Sequence, residues 1–307
     1  MRPLGRTGLE VFPVCLGGNV FGWTADEPTS HEVLDRYVAA GGNFVDTANS
    51  YLVEHGASES IIGRWLAARG GREDLVIATK VGAGGDEDLR NLRAETIHSE
   101  ARASLSRLQV ERIDLYYAHF DDEATPLEES LRAFDELVRD GLVAHLGASN
   151  YTPARLGEAL ELQRSLGLAK FTVLQPHYNL VERDYERTLA PLADEWDLAV
   201  LPYFALASGF LTGKYRAGSG QPDSPRASRA GAYLEQGGAA VLEALDEVAG
   251  EREATPAAVA LAWLLAKPHV AAPIASARSV EQLEPLLQAA TLELSAQEIA
   301  LLDGAHR

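Results

Sequence analysis

The sequence predicts a closed (β/α)8 TIM barrel, and three observations carry that prediction. Short apolar runs alternate from end to end with amphipathic, helix-like segments. There are eight such runs in 307 residues. No linker or shift of composition divides the chain, so residues 1–307 read as one barrel domain. Strand-then-helix repetition makes the strands parallel and each helix a crossover. Eight units of this size suit a closed barrel better than an open doubly wound sheet.

The apolar runs come in order. They are VCLGG at 14–18, NFVDT at 43–47, LVIATK at 75–80 and IDLYYAH at 113–119. VAHLGASN at 143–150, TVLQPH at 172–177, LAVLPY at 198–203 and VAAPIAS at 270–276 complete the set. Among the helical segments, 58–70 spaces its apolar residues on one face and stops at Gly70. The segment 125–141 opens with Thr125-Pro126, carries acids in its first turn and stops at Gly141. The segment 152–167 repeats that design, from Thr152-Pro153 to Gly167. Two stretches depart from the repeat. Residues 205–233, after strand seven, are rich in Gly, Ser and Pro and far longer than an ordinary connection. They are expected to form a lid or to lack fixed order. The tail from about 290 reads as an extra C-terminal helix packed on the barrel.

Composition excludes several functions. Apolar residues make up 46%, enough for a large core. Lys and Arg number 27 against 45 Asp and Glu, a formal charge of -18. Such a chain repels phosphate backbones and anionic lipid, so no nucleic acid and no membrane partner is expected, although a local basic pocket is permitted. The one cysteine, Cys15, rules out an intrachain disulfide or thiolate cluster and reads as a small buried hydrophobe. The start, MRPLGRTGLE, has no apolar leader, and the longest apolar stretch, 257–266, is about half a membrane span. A soluble, cytoplasmic protein is expected. Nothing in the sequence selects between a monomer and a homo-oligomer.

In such a barrel the active site lies at the C-terminal ends of the strands. Asp46 closes the second run, Lys80 the third and His119 the fourth, with Tyr51 just beyond the second. Each alone has a structural explanation: a turn residue, a lysine reaching water, a loop histidine, a packing phenol. Together they form a chemical sequence. A phenol with pKa about 10 is a poor proton donor at neutral pH, and a neighbouring ammonium lowers that pKa. A buried lysine needs a carboxylate to stay charged. Asp46 would hold Lys80, Lys80 would tune Tyr51, Tyr51 would protonate a carbonyl oxygen, and His119 would orient it.

With these residues in place, the chain resembles the aldo-keto reductases. RPLGRTGLEVFPVCLGGNVFG is similar to that family's N-terminal hairpin and first strand, and VDTANSY to its Asp-Thr-Ala-x-x-Tyr motif. IATK, DLYYAHFDD, GLVAHLGASN, LQPHYNL and YFALASGFLTGKY follow in the family's order. The resemblance covers nearly the whole chain. It implies a (β/α)8 barrel that reduces aldehydes and ketones by hydride transfer from NADPH, with NADH as a second option, and a catalytic tetrad of Asp46, Tyr51, Lys80 and His119. It also implies that Ser149, Asn150 and Gln175 hold the nicotinamide carboxamide and that Tyr203 stacks beneath the ring. Ser208, Gly209, Leu211 and Lys214 would wrap the pyrophosphate, and Ser276, Arg278 and Gln282 would meet the adenosine phosphate. Two departures stand out. Leu52 replaces the Gly that often follows the tyrosine, which bears on the substrate rim, and Pro285-Leu286 replaces a Glu-Asn pair, which bears on adenine affinity.

Val20, Phe21, Trp23 and Tyr51 are expected to line an apolar pocket for a small carbonyl substrate, with His55 or Phe120 at its edge. Other motifs fail on spacing. GFLTGKY at 209–215 is one residue short of a phosphate loop and has Tyr215 where Ser or Thr is needed. VGAGGDED at 81–88 misses the dinucleotide fingerprint, and no histidine spacing suits a metal, so none is expected. Two rival functions stand beside the reductase. A Schiff-base aldolase would need a neutral Lys80, which Asp46 opposes. A nucleotide-binding redox-sensing or regulatory subunit would use the same residues with little turnover.

Overall fold

The computed structural model describes residues 1–51, 54–72, 74–84, 90–216 and 227–306. An antiparallel hairpin comes first, β1 (Arg2–Pro3) with β2 (Glu10–Val11). The strands β3 (Cys15–Gly17), β4 (Phe44–Asp46), β5 (Val76–Val81) and β6 (Ile113–Ala118) follow. Next come β7 (Val143–Ser149), β8 (Phe171–Gln175), β9 (Ala199–Val200) and β10 (Ile274–Ala275). These eight strands run parallel in the order β10-β3-β4-β5-β6-β7-β8-β9. The ends of that order meet. Val200 N–H donates to His269 O at 2.8 Å, and Ala271 N–H donates to Val200 O at 3.0 Å. The barrel is closed, and every apolar run contributes a strand to it.

Helices cover the outside. They are α1 (Glu27–Ala39), α2 (Ala57–Arg69), α3 (Ala94–Leu108) and α4 (Leu127–Arg139). Then come α5 (Pro153–Leu166), α6 (Asp184–Thr188), α7 (Ala190–Trp196) and α8 (Ala227–Tyr233). The last are α9 (Ala239–Glu251), α10 (Pro256–Leu265), α11 (Val280–Ala289) and α12 (Ala296–Ala305). The stop signals work as the sequence implies. Gly70 and Gly167 end α2 and α5 with φ of 83° and 66°, a left-handed turn that glycine adopts without strain. The Thr152 hydroxyl caps α5 by accepting from Arg155 N–H. The apolar stretch 257–266 belongs to α10, whose residues Ala257 to Leu264 are all buried. A helix apolar all round is an interior helix, and none among the described residues is long and apolar enough to cross a membrane.

The C-terminal tail forms α12, tied to its neighbours by Arg252–Glu298 and Lys267–Asp303 ion pairs. The segment 205–233 is less open than its composition implies. Residues Ala207–Thr212 make tight 3-10 turns and Ala227–Tyr233 form α8, while 217–226, like Leu52, lie outside the described residues.

Strand alternation places the site. Phe44, Val76, Ala78, Leu115, Tyr117 and Val173 fill the barrel interior with Leu4 and Val11 of the hairpin, whereas Val45, Ile77, Tyr116 and Leu174 face the helices. Gly147 makes room for this filling, since a Cβ there would lie 2.4 Å from the Tyr117 ring. Continuing the period of two, the inward positions at the C-terminal mouth are Asp46, Lys80, His119, Ser149, Gln175, Tyr203 and Ser276. The sequence delivers polar residues to one rim by parity alone.

Candidate active site

Lys80 and Asp46 are buried at the floor of the mouth, their side chains 0% and 1% exposed. The Lys80 ammonium donates to Asp46 Oδ2 at 2.5 Å, Thr47 O at 2.7 Å and Tyr51 Oη at 2.9 Å. All three of its protons are engaged. Gln175 Nε2 donates to the other Asp46 oxygen at 3.0 Å. Burial pushes the Lys80 pKa down and Asp46 opposes that shift. The sequence expects Lys80 to lower the Tyr51 pKa, but the net direction is upward. Burial is the largest cause, and Asp46, 3.3 Å from the phenol oxygen, adds to it. The phenol is therefore neutral and protonated.

His119 stands edge-on to Tyr51, with ring centroids 6.1 Å apart. Burial, and then the Lys80 charge, push its pKa down to about 3, so the imidazole is neutral at physiological pH. Its Nδ1 is buried without a hydrogen-bond partner among the described residues. An acid-stability prediction follows. An unfolded His takes up a proton near pH 6.5, whereas the folded one resists until about 3. This contribution is constant above about 6.5 and stability is lost as pH falls through that window, at up to about 1.4 kcal/mol per pH unit. Urea midpoints of His119→Gln should fall less steeply from pH 6.5 to 4 than those of wild type, and identical slopes would refute the assignment.

A second group lies beside the first. Asn150, left-handed at φ 56°, donates from Nδ2 to His119 O at 2.8 Å and to Ser149 Oγ at 3.0 Å. Tyr203 Oη donates to Asn150 Oδ1 at 2.8 Å, and Ser149 Oγ donates to Gln175 O at 2.9 Å. The Tyr203 ring is covered on one face by His177, 5.2 Å away and 15° from parallel, and it also borders the cleft. Farther along, Phe204, Ala207 and Ser208 hold φ of 50°, 48° and 58°, before Gly209 at 95°. Three strained non-glycine residues in one rim mark a backbone shaped for something other than stability. At the far end, Ser276 Oγ donates to Asn19 Oδ1 at 2.7 Å, and Gln282 Oε1 accepts from Arg278 N–H at 3.2 Å. Arg278 is half-buried and makes no ion pair among the described residues.

These groups share one cleft of about 790 Å³, within the range of cofactor sites. It is lined by Asp46, Tyr51, His119, Ser149, Asn150, Gln175 and Tyr203, then by Ser208, Gly209, Lys214, Ser276, Arg278 and Gln282. Val20, Trp23 and Phe120 border it too, Trp23 and Phe120 with 38% and 45% exposure. Four residues expected in the site or at its edge are not on its wall. Phe21 is 2% exposed and packs into the core against Gly18, because the turn after Val20 folds it inward. Leu211 is fully buried and its N–H bonds to Leu206 O, so neither its side chain nor its amide faces the cleft. Lys80 sits behind Asp46 and Tyr51 and touches both. His55, expected at the edge, turns away to Glu100. Asn19, Phe204 and Glu281 line the cleft without any periodic signal that could have found them. Among the described residues, no group of three or more His, Cys, Asp or Glu could hold a metal ion.

A parallel barrel with a buried ion pair at the floor of a long cleft in its C-terminal mouth has the layout of a barrel enzyme, whose active site lies at that end of the strands. The sequence profile described as the aldo/keto reductase family matches residues 13–307, and the chain belongs to that family. It is 37% identical over 314 residues to YrpG of Bacillus subtilis, described as an uncharacterized oxidoreductase, covering 98% of this chain and 94% of that one. It is 34% identical over 307 residues to the norsolorinic acid reductase stcV of Emericella nidulans, covering 95% and 77%. The aldo-keto reductase ausK of Emericella nidulans is 35% identical over 319 residues, covering 97% and 79%.

Proposed function

We propose that this protein reduces aldehydes or ketones to alcohols with NADPH, with Tyr51 as proton donor and His119 orienting the carbonyl oxygen. The observation that carries the reading is the buried relay, in which one ammonium touches both Asp46 and the Tyr51 oxygen. When bound, the reduced nicotinamide supplies the hydride, and Ser149, Asn150, Gln175 and Tyr203 would hold it. The residues of the chain manage the proton. Tyr51 stays protonated until charge grows on the carbonyl oxygen, and Lys80 then stabilises the phenolate left behind. Asp46 keeps that lysine positive in a buried place. Neutral His119 offers its ring N–H to the same oxygen without competing for the proton. The relatives named as norsolorinic acid reductases support a carbonyl substrate, and Trp23 with Phe120 suits a flat apolar one. NADPH oxidation across a panel of aldehydes and ketones tests the reading. Binding of the nucleotide without turnover on any of them would favour a redox-sensing subunit instead.

Arg278 is the proposed reader of the 2′-phosphate that separates NADPH from NADH. Its guanidinium can pair with phosphate oxygens, and no carboxylate among the described residues claims it. Glu281 borders the cleft nearby, and a Ser279 hydrogen bond holds its carboxyl below the usual range. That negative charge opposes the same phosphate, so the preference for NADPH should be mild. Arg278→Ala should raise the NADPH dissociation constant about ten- to a hundredfold and leave NADH nearly unchanged. Equal losses for both nucleotides, or a wild-type preference for NADH, would show that another residue reads the phosphate.

A further inference from the structure

We propose that Glu100, on α3 and outside the cleft, is a positioning residue that fixes the Tyr51 loop; this rests on reading Tyr51 as the proton donor. Tyr51 belongs to a loop, so no strand ladder holds it, yet its oxygen must sit 2.9 Å from the Lys80 ammonium. A loop needs its precision from elsewhere. Glu100 is 7% exposed, and its Oε2 accepts from Asn49 Nδ2 at 2.8 Å and from His55 Nε2 at 2.8 Å. Asn49 precedes Tyr51 by two residues and His55 follows it by four. One buried carboxylate oxygen thus ties down both flanks of the donor.

The anchor is itself anchored. Arg107 reaches Glu100 Oε2 at 3.4 Å and donates to Glu59 Oε2 at 2.6 Å. Fully buried Glu59 accepts at 2.5 Å from Thr79, the residue before Lys80. The network therefore connects the loop that carries the phenol to the strand that carries the ammonium. The loop is seated directly on it. Gly56 has φ 77°, a Cβ there would fall 2.1 Å from Arg107 Cδ, and its N–H donates to Asn49 O at 2.6 Å. Burial pushes the Glu100 carboxyl up, but Asn49, His55 and Arg107 outweigh it and hold the group below the usual range. The acceptor these tethers need is ionised.

Glu100→Gln keeps the shape but removes the charge from the accepting oxygen and turns the other oxygen into a donor, which weakens both tethers. It should lower kcat about ten- to a hundredfold, as small misplacements of a catalytic group do, with NADPH affinity within about twofold. The solvent isotope effect on kcat should rise, because proton transfer from a displaced phenol becomes the slow step. A merely structural Glu100 would lower Tm and leave that isotope effect unchanged. Asn49→Ala, which removes one tether without unpairing Arg107, should shift kcat and the isotope effect the same way if Glu100→Gln does not fold. His55→Gln retains a donor and should restore most of the rate that His55→Ala loses. In a Tyr51→Phe background, Glu100→Gln should add almost nothing. Wild-type kcat and isotope effect in both Glu100→Gln and Asn49→Ala would overturn the proposal while leaving Tyr51 as the donor. A fully active Tyr51→Phe protein would overturn the donor assignment, and the positioning role with it.

Discussion

Tyr51→Phe should reduce carbonyl turnover at least about a hundredfold, since general-acid catalysis typically contributes 10²–10⁴. The ring remains, so packing against His119 and under the Lys80 ammonium, 5.0 Å from its centroid, is preserved. Only the hydroxyl is lost. Nucleotide affinity should stay within about twofold, because in the proposed mechanism the phenol contacts the carbonyl substrate and not the nucleotide phosphates. A transition-state interaction removed in this way lowers kcat and kcat/KM together. Wild-type rates with an aldehyde in the Phe variant would leave the relay without a function.

Lys80→Met should have a comparable effect, and its pH behaviour separates chemistry from folding. The ammonium donates to the Tyr51 oxygen at 2.9 Å, so it favours the phenolate against burial and Asp46. Without it the phenol pKa rises further. In the alcohol-oxidation direction, where the phenolate accepts the proton, the limb on which the rate rises with pH should move to higher pH. The reduction rate should fall about a hundredfold or more, because the phenolate left by proton transfer loses its counter-charge. The variant also strands Asp46, 1% exposed, as an unpaired buried carboxylate, which costs about 3–5 kcal/mol when a buried pair is broken. Asp46→Asn alone should weaken the rate less, and Asp46→Asn with Lys80→Met should recover stability without recovering rate. Single variants that alter neither rate nor pH profile would make the pair purely structural.

Periodicity explains what the sequence discloses and what it hides. Asp46, Lys80 and His119 could be placed because each ends an apolar run whose earlier inward positions are apolar, whereas Gln175 came only from the family resemblance. Parity carries the information. Phe21 and Leu211 sit in turns, where no period says which side faces the cleft, and both proved to face the core. The direction of the Tyr51 pKa was hidden for another reason. Sequence order gives the neighbours, but not that Asp46 approaches the phenol oxygen to 3.3 Å. Glu100 was invisible too. On α3 it is one acid among several, and only the fold turns it under the loop that holds Asn49 and His55. Composition marks the segment 205–233 as irregular but does not disclose left-handed Ala207 and Ser208 or the helix α8.

The central claim is that the relay moves a proton to a carbonyl while nicotinamide is oxidised. The most direct measurement follows NADPH oxidation by the wild-type protein with an aromatic aldehyde and quantifies the alcohol formed in the same reaction. One alcohol per NADPH, at a rate far above that without aldehyde and strongly reduced in Tyr51→Phe, is the predicted result. Tight NADPH binding with no alcohol formed from any aldehyde or ketone tried would contradict it.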